Sequence, residues 1–462
     1  MTHSWRLPTA FVLLLATLAL PGLLESRPLE LLLTNGLQLR LDGLSRFFVL
    51  LVALAALLPA PSPAWRQGLA ALLCALAFAL TDVRLVALCY GLAALALWNR
   101  RQERPWLALG LALLPPLLLL VAAVQLGQLA GSTNYSLPVA ASGLSSAVFA
   151  ATLLATILGV SPLVADTSKR EAQFVLQLAW CYPLLRLAGI GPWNWGWHVG
   201  LLTLALALLL HATWQALRQK AGTERVYLTL ALTAVGTGTA VGMAAALVAL
   251  LLALLTTWDS RGNQQNLPQR HKACPERSRR GTTASRMPIF HQPFAGFAPL
   301  REILNHSAPL LLTPMLPLTL PFVGLWLLLT ATLGRGWGWL VLPFWLWGLG
   351  FGAVQLRAWF TRAETENSPR GHMWVATVSL LAGVLAPLWM PLLLRPVVLA
   401  MQPGLEREVR ALWPWSALLE PGTTVDVPAS LALLGLLLVG TALSWLTGWW
   451  LARGAANVKR ET

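Results

Sequence analysis

From Val139 to Trp258 the chain is apolar almost throughout, broken only by the ionised patches Asp166–Glu171 and Arg218–Arg225. A bilayer core takes roughly 20 apolar residues per helix, so this stretch reads as about five crossings with charged turns between some of them. Lipid offers no partner to a free backbone amide or carbonyl, so the crossings must be helices packed on one another. Any transport path would run through this block or one like it, and would need groups able to carry charge.

Composition extends the reading to the whole chain. Of 462 residues, 56% are hydrophobic and 11% charged, and the mean hydropathy is +0.64. Soluble domains are about 25% charged, so this is an integral membrane protein. The 33 Lys and Arg exceed the 18 Asp and Glu. That excess suits loops that hold topology, since nucleic-acid binding would need a folded basic face and none is visible. Cys74, Cys89, Cys181 and Cys274 lie far apart, without metal or disulfide spacing, and three of them read as small buried hydrophobes. Arg6 followed by Leu7–Leu24 is long for a signal peptide and lacks a small-residue cleavage site, which favours a first membrane helix.

Hydropathy predicts about 14 crossings, near 7–24, 44–60, 68–80, 85–98, 106–127, 139–165, 172–190, 196–214, 226–240, 243–257, 307–331, 337–356, 373–399 and 428–452. With a cytoplasmic N-terminus, the even-numbered turns and the two termini hold 24 of the 33 Lys and Arg, and the odd-numbered turns with the crossing ends beside them the other 9. The positive-inside rule therefore predicts both termini cytoplasmic, and the expected location is the plasma membrane of a bacterium. The chain divides into N-terminal helices over 1–257, a basic and disordered cytoplasmic loop over 258–306, and C-terminal helices over 307–462. An interfacial segment is expected near 404–420, where Glu406, Arg407, Glu408 and Arg410 mix with Leu and Trp. Trp193, Trp195, Trp197, Trp337, Trp339, Trp449 and Trp450 read as headgroup anchors. Pro115-Pro116, Pro317 and Pro321 are expected to kink or interrupt helices.

Short motifs carry a resemblance. Asp42-Gly43-Leu44-Ser45 opens the second crossing, where Asp42 and Ser45 can cap orphan amides and Gly43 permits a tight turn. Asp82 is followed by Gly91-Leu92, then come Tyr182-Pro-Leu-Leu-Arg186, Gly200 and Thr203 before Leu217-Arg218, and Pro321-Phe-Val-Gly324. In this order and spacing the chain resembles the antiporter-like membrane subunits of respiratory NADH–quinone oxidoreductase and of Mrp-type sodium/proton antiporters. The resemblance implies an all-α, polytopic, inverted-repeat bundle with broken helices, docked against other membrane subunits of a respiratory-type complex. It implies no cofactor bound directly, quinone only through a partner, and at most a non-catalytic role in an NADH–quinone oxidoreductase-type complex.

The same resemblance places ionisable residues where this chain has none. The expected Glu is Gly91, and the expected Lys positions fall near Ser161–Leu163, Leu178 and Leu328. A proton relay needs groups with tunable pKa, which Gly and Leu lack. The remaining ion-path candidates are His211, Arg186 and Arg218. His211 is the mid-helix imidazole, read either as a relay or as a ring bonded within the bundle. Arg186 should snorkel toward headgroups at its helix end, and Arg218 suits the C-terminal end of its helix. Asp82 and Arg84 should form a solvated local pair. Gly236, Thr237, Gly238 and Thr239 read as small residues along one helix, either packing closely or lining a cavity. The expected function is a divergent subunit of a proton- or cation-translocating complex, which carries the ion itself if His211 and trapped water suffice and is structural otherwise. The alternatives are a membrane enzyme acting on lipid-linked sugars, through Glu406, Arg407, Glu408, Arg410 and Asp426, or a structural scaffold. No metal site is expected.

Overall fold

A computed structural model describes residues 28–34, 37–57, 64–98, 105–134, 145–160, 174–190, 193–218, 222–264, 314, 316–363, 371–401 and 427–461. The expected first crossing, the interfacial segment and nearly all of the basic loop lie outside the described residues. The first described element is a departure from the all-helical expectation. Strands β1 (Leu29–Thr34) and β2 (Leu37–Leu41) pair antiparallel, Leu29 opposite Leu41.

Helices follow as α1 (Gly43–Ala56), α2 (Ala64–Ala79), α3 (Val83–Leu97), α4 (Pro105–Ala130), α5 (Ser146–Val160), α6 (Phe174–Ala179), α7 (Cys181–Ala188) and α8 (Trp195–Leu217). After them come α9 (Thr223–Gly236), α10 (Ala240–Gln264), α11 (Leu320–Gly334), α12 (Val341–Ala363), α13 (Gly371–Val384), α14 (Ala386–Met401) and α15 (Val427–Glu461). Helix α10 thus continues past 258, the expected start of the basic loop.

Among the described residues five helices are long and apolar enough to cross a membrane: parts of α4, α8, α10 and α15, and the segment Gly338–Arg357. Six more apolar segments are shorter, Gly43–Ala56 with 14 residues among them. At 1.5 Å per residue such a helix spans about 20 Å, less than a bilayer core. Burial separates the long helices too. In α10, 89% of the apolar window is buried, against 28% in α4 and in α15, so α10 stands at the centre and the other two at the rim.

Prolines explain where the helices break. Pro183 has no amide to give the carbonyl four residues back and its ring crowds that carbonyl, so α6 and α7 part at Trp180. The carbonyl set free is Ala179, and the buried Tyr90 hydroxyl donates to it at 2.9 Å. The expected crossing over 373–399 is two helices, α13 and α14, bent 82° about Leu385 just before Ala386-Pro387. Pro321, expected to kink a helix, sits in the first turn of α11 behind the Thr319 cap, where a missing amide costs nothing. Pro115 and Pro116 lie inside the continuous α4.

Gly236 to Thr239 are not one helix face. They form the turn between α9 and α10, two helices that pack along each other. Gly238 takes φ +67° there, the left-handed backbone that glycine adopts without penalty. Cys74, Cys89 and Cys181 are buried free thiols, in keeping with the reading of small core hydrophobes.

Candidate functional site

The first two motifs meet. Asp42 caps α1, its Oδ1 accepting from the Ser45 amide at 3.0 Å, and its other carboxylate oxygen pairs with the Arg186 guanidinium from α7. Both side chains are buried. Arg186 therefore does not snorkel: it is turned inward onto a carboxylate. Ser45 does not cap with its hydroxyl but lies 3.1 Å from the Tyr182 hydroxyl, which donates to Phe78 O at 2.9 Å. Phe78 is in the last turn of α2, where carbonyls lack helical partners. One end of this network reaches the hairpin, where Arg40 Nε is 3.9 Å from Asp42 and 3.5 Å from Glu30. Burial works against an ionised Asp42, but Arg186, the Ser45 amide and Arg40 outweigh it and hold the carboxyl below the usual carboxylate range.

Gly43 completes the junction. A Cβ there would stand 2.5 Å from the Pro396 carbonyl carbon and oxygen, so only glycine lets α14 lie against the start of α1. Gly189, just past α7, faces α14 in the same way, with Ala400 O at 2.9 Å from its would-be Cβ. The junction thus joins α1, α2, α7 and α14. The buried Arg46, one turn along α1, was not singled out by the sequence reading.

A second polar cluster forms around the α9–α10 turn. His198, near the start of α8, is buried, with Nδ1 3.2 Å from Gly236 O. Arg335, following α11, donates to Thr237 O at 2.8 Å. Trp193 packs beside His198 and edge-on to Phe149, so it is a core residue and not the expected headgroup anchor. Trp195 and Trp339 are exposed, as anchors would be. Tracing α7 from Arg186 into α8 puts this cluster at the same end of the bundle as Asp42.

The other candidates fall outside both clusters. His211 is exposed on α8 and bonded to Gln215 at 2.7 Å, so it is neither in the interior nor held by a bundle carbonyl. Arg218 is exposed at the α8 C-terminus, stacked on Trp214. Gly200 and Thr203 also face outward: nothing lies within 4 Å of a Cβ at Gly200, and the Thr203 hydroxyl returns to Val199 O and Gly200 O. Asp82 caps α3 and pairs with Arg84 at 3.7 Å near the surface. Gly324 packs on Val248 of α10. Where ionisable groups were expected, Leu178 and Leu328 are fully buried core, and Gly91 lies against Pro116. Among the described residues no three His, Cys, Asp or Glu gather as metal ligands would.

The architecture is that of a polytopic helical membrane protein, and its sequence matches no family profile and no curated protein. Solved structures show which fold it has. The chain is similar to one in the Mrp complex from Dietzia sp. DQ12-45-1b, with TM-score 0.62 and 17% identity over 97% of this chain and 54% of that one. It is similar to one in respiratory complex I from Thermus thermophilus with bound aureothin, with TM-score 0.54 and 18% identity over 83% and 93%. A third match is to the membrane-bound sulfane sulfur reductase, an archaeal respiratory membrane complex, with TM-score 0.60 and 16% identity over 86% and 92%. The chain spans about half the length of the Mrp chain. The short motifs and the solved structures thus point to the same kind of membrane chain, while five of the described helices are long enough to cross a membrane, against the about 14 crossings expected.

Proposed function

We propose that this chain is a membrane subunit of a proton- or cation-translocating complex, docked against other membrane subunits and carrying no ion path of its own. The observation that supports it best is the closure of Asp42-Gly-Leu-Ser45 on Tyr182-Pro-Leu-Leu-Arg186, within a fold shared with chains of three such membrane complexes. In this reading the short helices cross together with the long ones, about 14 in all, with both termini cytoplasmic. No cofactor binds the chain directly, and quinone is met only through a partner.

Loss of the path rests on residues. Gly91, Leu178 and Leu328 have no proton to exchange, and His211 looks outward to lipid or to a neighbouring subunit. Arg186 is occupied by Asp42, and a buried paired charge holds structure and does not move. The test is proton uptake by vesicles holding the assembled complex. His211→Ala should leave uptake within about 10–20% of wild type, as expected of a surface change outside any network. A severalfold loss of uptake with assembly intact would return His211 to the path and overturn this reading.

A further inference from the structure

We propose that Trp193 and His198 hold one buried water between them, a solvent site at the α9–α10 turn. The hydrogen-bond arithmetic leads there. His198 Nδ1 lies 3.2 Å from Gly236 O, and a carbonyl only accepts, so Nδ1 carries the hydrogen. The neutral ring then presents Nε2 as an acceptor. That nitrogen is buried and has no partner. The Trp193 indole N–H, which can only donate, is also buried and without a partner. The two rings lie 5.3 Å apart between centres, at 38°.

One orphan donor and one orphan acceptor on neighbouring rings define their ligand. Water accepts from the indole and donates to the imidazole, and no smaller molecule does both. Left unmade, each bond would leave a buried polar group stripped of water with nothing in return. The imidazole cannot swing away to find a protein partner. Gly238 is folded onto it so closely that a Cβ there would stand 2.0 Å from His198 Cε1. Arg335 Nη1 donates to Thr237 O, and His198 Nε2 receives no bond from it. Gly336, next to Arg335, is exposed, so the cluster lies near the surface. The inference does not depend on whether the chain carries ions.

The experiment is solid-state NMR of the full chain in phospholipid bilayers with 15N-labelled histidine. The protein has 7 His, and the His198 signals are those that disappear in His198→Gln. The expected result is an unprotonated Nε2 with strong magnetisation transfer from water, weakened severalfold in Trp193→Phe while the other histidines are unchanged. A protonated Nε2, or transfer from water no stronger than noise, in the His198 signals of the wild-type protein overturns the proposal. Unchanged transfer in a folded Trp193→Phe protein overturns it as well.

Discussion

The two polar clusters at this end of the bundle are completed in opposite ways. At the start of α1 the buried side chains pair with one another: carboxylate with guanidinium, hydroxyl with hydroxyl and carbonyl. At the α9–α10 turn an imidazole nitrogen and an indole N–H are left open. The first cluster draws together helices distant in the chain, and only matched charge and close backbone contact hold them in one register. The second lies at a three-residue turn whose helices the chain already holds together, and a ring, a glycine and the Arg335 guanidinium close on it. A buried ion pair closes the first cluster, and bonds to backbone carbonyls close the second.

The sharpest way to break that contrast is to remove one charge. Arg186→Leu leaves Asp42 buried without its cation and should cost about 3–5 kcal/mol, read as a fall in the unfolding midpoint in detergent. His198→Leu should cost clearly less, and equal losses would erase the distinction. The pair also sets a pH dependence. Asp42 is held below its usual range, so its stabilisation is complete above a pH of about 4 and is lost as pH falls through the lowered value. Asp42→Asn should remove that acid limb.

Next in size is Gly43→Val, which sets a side chain against the Pro396 carbonyl. Overpacking of this kind costs about 1–3 kcal/mol, and a cysteine cross-link between α1 and α14 should form more slowly in the variant. The smallest effect is expected from Tyr182→Phe, which loses the bond to Phe78 O and should cost about 1 kcal/mol. A cost near that of Arg186→Leu would mean that the hydroxyl, not the charge, holds the junction.

Much of this was legible in the residues, in uneven parts. The bundle follows from apolar runs, because lipid permits little else. Asp42, Gly43, Ser45, Tyr182 and Arg186 were visible as motifs, but their mutual contact was not, since nothing local joins residue 42 to residue 186. Arg186 was misplaced for the same reason: snorkelling is the rule for an Arg without an acid partner, and its partner is 144 residues away. The hairpin had a signal, Asn35-Gly36 between two apolar runs, which hydropathy windows average away. The break at Trp180 also had one, in Pro183. His198 was passed over in favour of His211 because depth in a hydropathy plot says nothing of which side of a helix a residue faces.

Gly43 and Gly189 receive their neighbour late. The segment they accommodate, Pro396 to Met401, leaves the ribosome about 350 residues after Gly43. Until then the furrow beside α1 must stay vacant or be filled by lipid tails. A nascent chain stalled before α14 would therefore carry an unsealed flank at α1, the mark of an unfinished molecule.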